Sequence, residues 1–323
     1  MKSHDRMIRR LLGCALMVGV AQLSAQTLLY RWSFNSETSG TTVTPDASVG
    51  GGGVLTMNYG GTETDLYSPI GGGVSGGGIP NDRCLANHNS IYGNASLSGI
   101  AATTPGNMNI GVLDKFTITG WVNADGGFDN IPDNTYSRLF LLGAGTPIDT
   151  GSPNSATLTF YKNLFAWHGQ GTNAIQLRLG GPAGSIGGPY GGDGAIANNF
   201  FTGRAGWVFM AVSVDLTLSS DNVVFYVGDP ASSTTLFSTT YYNNGGAPIG
   251  SIDFGSAAYL ALLNRNDRNR AFDGWGDDFR LYSGVLGIED LEMVRLEAVP
   301  EPKALLLLPL LFVLVYRVRQ SVY

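Results

Sequence analysis

The stretch Lys115-Phe116-Thr117-Ile118-Thr119-Gly120-Trp121-Val122-Asn123 decides the fold. Phe116, Ile118, Gly120 and Val122 fall on one face of an extended chain, and Thr117, Thr119 and Trp121 on the other, because successive strand side chains point to opposite sides. Both faces carry bulky apolar groups, so both are expected to be partly buried. Working outward, similar short runs recur at Leu28–Asn35, Tyr136–Gly143, Ala156–Tyr161, Leu164–His168, Ile175–Leu179, Gly206–Leu216, Asn222–Val227, Thr234–Tyr241, Ala258–Asn264 and Asp278–Ser283. Gly, Pro, Asn and Asp separate them. The pattern predicts an all-β protein, a jelly-roll sandwich of two antiparallel sheets, with a single short helix over Ile288–Leu296.

Composition agrees. The chain has 323 residues, 46 of them glycine, and only 14% are charged. Glycine tracts at Gly50–Gly53, Gly71–Gly78 and Gly180–Gly192 read as loops. The last is followed by neither helix nor lysine, which removes a phosphate cradle. A net charge of −6 excludes general nucleic-acid binding, which needs a concentrated Lys/Arg field. Arg265, Arg268 and Arg270 alternate with Asp267 and Asp273 and read as a solvated loop.

The two ends differ from the body. Residues 1–26 carry Lys2, Arg6, Arg9 and Arg10, an apolar run Leu11–Val20 and a small-residue exit at Ser24-Ala25, the layout of a secretory signal peptide. A lipoprotein reading of Leu11-Leu12-Gly13-Cys14 fits less well, because the apolar run continues past the cysteine. Cleavage after Ala25 or Gln26 leaves Cys84 as the sole cysteine, so no internal disulfide is expected. At residues 298–323, Pro300-Glu301-Pro302 precedes thirteen apolar residues, 304–316, and then Arg317 and Arg319. That run is shorter than the roughly 17–25 residues of a comfortable spanning helix, although basic flanks can snorkel. By the positive-inside rule the arginines hold the end in the cytoplasm and leave Pro300–Pro302 at the outer surface.

This tail resembles the PEP-CTERM sorting signal of bacterial exported proteins. The resemblance implies recognition of Pro300, Glu301 and Pro302 by an exosortase-type membrane protease, with Arg317 and Arg319 as the membrane stop. The tail departs from that pattern in its two-arginine stop and in the extension Gln320–Tyr323. Permanent anchoring through 304–316 is the alternative.

The body, 27–297, resembles the LamG-like, concanavalin A-like lectin/glucanase family. The similarity lies in Tyr30-Arg31-Trp32-Ser33-Phe34-Asn35 with Ser39-Gly40-Thr41 and Asp46, and in Phe116–Val122. It continues in Gly206–Val212 with Val223–Val227, and in Phe272–Tyr282 with Leu286 and Glu289. The resemblance implies the jelly roll without an activity. It also implies a calcium seat at Asp46 and Asp277, with Asn35 as a further candidate. The alternative is that Asp277 and Asp278 hydrogen-bond loop backbone.

No catalytic constellation emerges. The Glu-x-Asp-x-x-Glu acid set of laminarinase-type relatives is missing. Glu289-Asp290-Leu291-Glu292 has helix spacing, not strand spacing. His88 and His168 follow no nucleophile elbow. For a glycan-cleaving enzyme the acids available near a strand end are Asp125, Asp129 and Asp133, and for sugar stacking the rings are Trp275, Tyr190, Tyr241 and Tyr242. The leading expectation is an exported, non-catalytic, lectin-like or structural protein of the cell surface or exopolysaccharide matrix, with polysaccharide as a partner.

Overall fold

A computed structural model describes residues 26–35, 41–58, 68–69, 71–91, 94–104, 106–129, 137–144, 157–163, 173–180, 195–241 and 248–299. In chain order the strands are β1 Thr27–Trp32, β2 Thr42–Val43, β3 Ala47–Ser48, β4 Leu55–Asn58, β5 Leu85–Ala86, β6 Ile100–Thr103, β7 Val112–Leu113, β8 Lys115–Ala124 and β9 Arg138–Ala144. They continue with β10 Thr157–Asn163, β11 Ala174–Gly180, β12 Ala195–Ala197, β13 Val208–Asp215, β14 Val223–Gly228, β15 Thr235–Thr240, β16 Ile252–Asp253, β17 Ala258–Leu262 and β18 Gly274–Ser283. Among the described residues one α-helix, α1, spans Ile288–Ala298.

The first sheet has the order β15-β14-β13-β8-β18-β1-β3, with β5 also paired to β18; the second runs β12-β11-β10-β9-β17-β6-β4-β2. Pairing is antiparallel throughout, and β16 with β7 adds a small third sheet. The protein is thus the all-β sandwich its alternation predicts. Of the predicted strands, Leu164–His168 lies outside the described residues. The additional strands are two to four residues long, and those such as β2, β3 and β5, of two residues, are too short to show a period.

The two faces of β8 explain the layering. Phe116, Ile118 and Val122 enter the core between the sheets, together with Tyr30, Trp32, Leu142, Phe225 and Leu281. Trp121 points outward, yet is fully buried, because α1 covers the outer face of the first sheet. Leu291, Val294 and Ala298 pack there against Trp121, Phe209, Tyr226 and Tyr282. Each fully buried large apolar side chain contributes roughly 1.5–3 kcal/mol. α1 begins after Gly287, whose N–H is accepted by Asp290 Oδ2 at 3.3 Å, and carries Glu289 and Asp290 at its positive end. Glu292 is tied to Arg295 at 2.8 and 2.6 Å and accepts the Thr234 N–H at 2.7 Å. These acids therefore belong to a helix start, not to a cleft.

The centre of the first sheet holds a bulge. Asp277 pairs with Trp121 and Arg280 with Thr119, so Asp278 and Phe279 together face Gly120. Asp278 takes the left-handed conformation, φ 43°. The Phe279 ring fills the space that two glycines leave. A Cβ on Gly120 would lie 2.6 Å from that ring, and one on Gly276 2.7 Å from its other edge. Asp278 receives Arg31 Nε at 2.8 Å and both Nε and Nη2 of Arg280, while Glu297 of α1 binds Arg280 at 2.6 Å. This network joins β1, β18 and the end of α1.

Among the described residues no helix is long and apolar enough to cross a membrane. The predicted signal peptide and the sorting tail, with Pro300, Glu301, Pro302, Arg317 and Arg319, lie outside the described residues.

Candidate functional site

Because β18 pairs with both β5 and β8, three chain segments meet at one end of the sandwich. Trp275 sits opposite Ala86 on one side and Asn123 on the other, and Gly274 opposite Ala124. β5 therefore leads into Asn87-His88-Asn89-Ser90, and β8 into the turn at Asp125, directly beside Asp273. The Asp125 N–H donates to the Asp273 carbonyl at 3.1 Å. Gly274 must be glycine: a Cβ there would lie 2.2 Å from Asn123 O.

Asn87 fixes this end from beneath. Its Nδ2 donates to the carbonyls of Leu263 and Phe272, each at 3.0 Å, and its Oδ1 accepts from Ser90 Oγ at 2.8 Å. The His88 ring stacks on the Trp275 indole with centroids 5.2 Å apart and planes 16° from parallel. Both residues are partly exposed. Asp273 accepts backbone N–H bonds from Asn89 and Ser90, while its Oδ1 is buried with no hydrogen-bond partner. Burial, followed by the charge of Asp125, pushes the Asp273 carboxyl up to about 6.

The result is a partly exposed aromatic stack beside two carboxylates, one of which gains its proton in mild acid. Such a surface can take the C–H face of a sugar ring while the carboxylates accept hydroxyl hydrogen bonds. Of these residues the sequence pointed to Asp125 and Trp275 separately. Asp273 and His88 were missed as members, because only the pairing of β18 with two strands brings residues 88, 125, 273 and 275 together.

The other predicted residues are placed as follows. Asp129 is held by Asn173 Nδ2 and accepts the Gly203 N–H at 3.3 Å, so it braces a turn. Asp133, His168, Tyr190 and Tyr242 lie outside the described residues, and Tyr241 follows the edge strand β15. Asp46 is exposed, and its Oδ2 accepts the Ser33 N–H at 2.7 Å. Asn35 Oδ1 accepts the Arg83 N–H at 2.9 Å.

Asp277 is buried, and its two oxygens accept the N–H groups of Val74 at 3.1 Å and Asp278 at 2.7 Å. For Asp277 this is the loop-backbone alternative left open by the sequence; Asp278 instead serves the arginines. The acid that stands beside Asp277 is Asp82. The position of a Cβ on Gly73 would lie 2.3 Å from Asp82 Oδ1 and 2.9 Å from Asp277 Oδ2, so both carboxylates face one glycine backbone. Burial first, then the charge of Asp278, with that of Asp82 adding to it, raises the Asp277 carboxyl well above the ordinary range. Cys84 is buried beside them, its thiol donating to Gly72 O at 3.2 Å and shifted upward by burial, which makes it inert. Among the described residues no three His, Cys, Asp or Glu side chains converge as a metal cluster.

No family model matches the chain, and no curated protein does. Among solved structures it is similar to domain 4 of AbnA, a GH43 extracellular arabinanase from Geobacillus stearothermophilus, in complex with arabinotriose. That match has 15% identity and a TM-score of 0.46, and covers 84% of this chain and 98% of that one. A GH54 α-L-arabinofuranosidase aligns with 14% identity and a TM-score of 0.47, over 86% of this chain, which spans 60% of that enzyme. The binding domain of botulinum neurotoxin DC aligns with 12% identity and a TM-score of 0.44, over 85% of this chain and 52% of that one.

Proposed function

We propose that this is an exported, non-catalytic glycan-binding module of the cell surface or exopolysaccharide matrix, binding sugar on the Trp275 and His88 rings between Asp125 and Asp273. The stacked, partly exposed pair Trp275 and His88 carries the reading. Aromatic stacking supplies affinity, and the two carboxylates supply orientation. In this reading the signal peptide exports the chain, and an exosortase-type protease acts on Pro300-Glu301-Pro302. Protein recovered from the cell exterior is expected to lack Arg317 and Arg319 by mass spectrometry. In binding assays on a polysaccharide panel, Trp275→Ala is expected to weaken retention at least tenfold and Asp273→Ala severalfold. Retention unchanged by both substitutions, or hydrolysis of the polysaccharide, would overturn the assignment.

Calcium is the second element of the proposal, with Asp82 in place of Asp46. Asp82 and Asp277 offer hard oxygen atoms around one glycine backbone, in a place where a divalent ion would neutralise two buried charges. Asp46 is exposed, and its carboxylate accepts the Ser33 N–H.

The pH dependence follows from signs. Asp273 and Asp277 have raised folded values, so the stability they confer is present below about pH 4 and is lost as pH rises, for Asp273 through about 6. Asp215, Asp229, Asp267 and Glu292 are lowered, Glu292 to about 2, and their contribution is lost as pH falls below about 4. Tm without calcium is therefore expected to peak near pH 4 and to decline toward pH 8. Added calcium is expected to restore Tm at pH 8 and to change little at pH 5, and Asp277→Asn should abolish that rescue. A Tm at pH 8 indifferent to calcium and to chelator would remove the ion from the proposal.

A further inference from the structure

The end of the sandwich opposite the Trp275 site carries a second concavity. β17 connects the two ends: Leu263, just beyond its last residue, is held by Asn87, whereas the Ala258 N–H at its start donates to Met108 O at 2.8 Å. At roughly 3.3 Å per residue the two places are about 15 Å apart. Around Met108 the loop residues 50–52, 104, 106–109 and 256 line an open groove of about 560 Å³. Its described walls are glycine backbone, Asn107, Asn109, Thr104, Ser256 and Met108, with no ionisable group among the described residues.

The groove is rigid for reasons visible beneath it. The buried Tyr30 hydroxyl donates to Gly51 O at 2.9 Å and accepts the Asn109 N–H at 3.3 Å. Trp32 Nε1, whose ring stacks on Tyr30 at 5.5 Å, donates to Gly53 O at 2.8 Å. The two main loops meet backbone to backbone: a Cβ on Gly52 would lie 1.6 Å from Asn107 O, and one on Gly50 2.2 Å from Asn109 O. Gly51, in contrast, has nothing within 4 Å of its Cβ position, so its backbone faces open space.

The lining selects among ligands. An anionic ligand finds no lysine or arginine there, and a cation finds no carboxylate. An added peptide strand finds no free edge, because Met108 already bridges to Gly52 on one side and Ala258 on the other. What remains suited to amide, hydroxyl and exposed backbone groups is a neutral polyhydroxylated molecule. We propose that this groove is a second carbohydrate site, for an uncharged oligosaccharide. Together with the Trp275 site, on whose assignment this last step rests, it lets one molecule bridge two glycan strands.

The test uses the full chain and a panel of neutral trisaccharides of glucose, galactose, mannose and arabinose, with a uronate trisaccharide as the charged control. Titration calorimetry is expected to give two equivalents of a neutral probe per chain. Ser256→Trp, which fills the groove from its exposed rim, and Asn109→Ala, which removes one amide, are each expected to abolish one equivalent or weaken it at least tenfold. Trp275→Ala should remove the other. The wild type should precipitate a neutral polysaccharide, and neither Ser256→Trp nor Trp275→Ala should. If only one equivalent binds and it is lost in Trp275→Ala alone, the groove assignment fails and the Trp275 site stands. If binding is lost only in the groove variants, the Trp275 reading fails and the groove stands. Binding of no neutral probe at millimolar concentration, or a preference for the uronate in the groove, overturns the proposal.

Discussion

Replacing Asp278 with alanine is expected to lower the unfolding free energy by about 3–5 kcal/mol, the cost of removing one partner from a buried ion pair. The Arg280 side chain is 2% exposed and that of Asp278 4%, so the guanidinium left behind could not turn to water. Glu297 still reaches Arg280, but it is half exposed and touches the far nitrogen. The loss also spreads, because Arg31 on β1 gives up its 2.8 Å partner and both arginines that hold Glu297 of α1 lose the carboxylate that orients them. In a chain of this size the effect corresponds to a drop in Tm on the order of 10 °C. Urea denaturation would measure it, and a loss below about 1 kcal/mol would show the network to be ornamental. Should Asp278→Ala fail to fold, Glu297→Gln offers a milder reading, with an expected loss of about 1 kcal/mol, since it removes a charge-assisted bond at a wet position.

The second large effect is expected at Gly120, where Gly120→Ala should cost about 1–3 kcal/mol through overpacking. One methyl group is normally tolerated in a strand, and alanine is otherwise the better strand former. Here the added carbon would sit 2.6 and 2.8 Å from two atoms of the Phe279 ring. The ring has little room to yield, because Gly276 packs against its opposite edge so closely that a Cβ there would lie 2.7 Å from it. If the ring is the cause, Phe279→Leu should cost less in the Gly120→Ala background than alone, a coupling that a double-mutant cycle reads directly. Strict additivity would place the strain elsewhere.

The sandwich was legible because its long strands announce themselves. Lys115–Asn123 carries two apolar faces in strict alternation, and the structure spends one on the core and the other on α1. Isolated pairs such as Leu85-Ala86 left no trace, since two residues have no period, although β5 turns out to place His88. The acids near β18 were partly legible. Asp277 was predicted to matter at the closing strand, but its neighbour is Asp82 from a glycine loop, not Asp46, and nothing local signals that approach. The alternative reading gave Asp278, like Asp277, to loop backbone. The bulge, paid out over Gly120, instead gives Asp278 to the arginines. The Trp275 site was harder still, being assembled from residues up to 187 positions apart by strand pairing alone.

The order of the first sheet has one more consequence. Its central rib, β18, is the last strand of the chain, and it separates β8 from β1, the first strand, which registers Thr27 against Ser283. β8, β13 and β14 can zip together early, but β1, paired until then only with the two-residue β3, meets its long partner some 250 residues later. Relative contact order is correspondingly high, and closure correspondingly slow. The first sheet is completed only when β18 takes its place between β8 and β1.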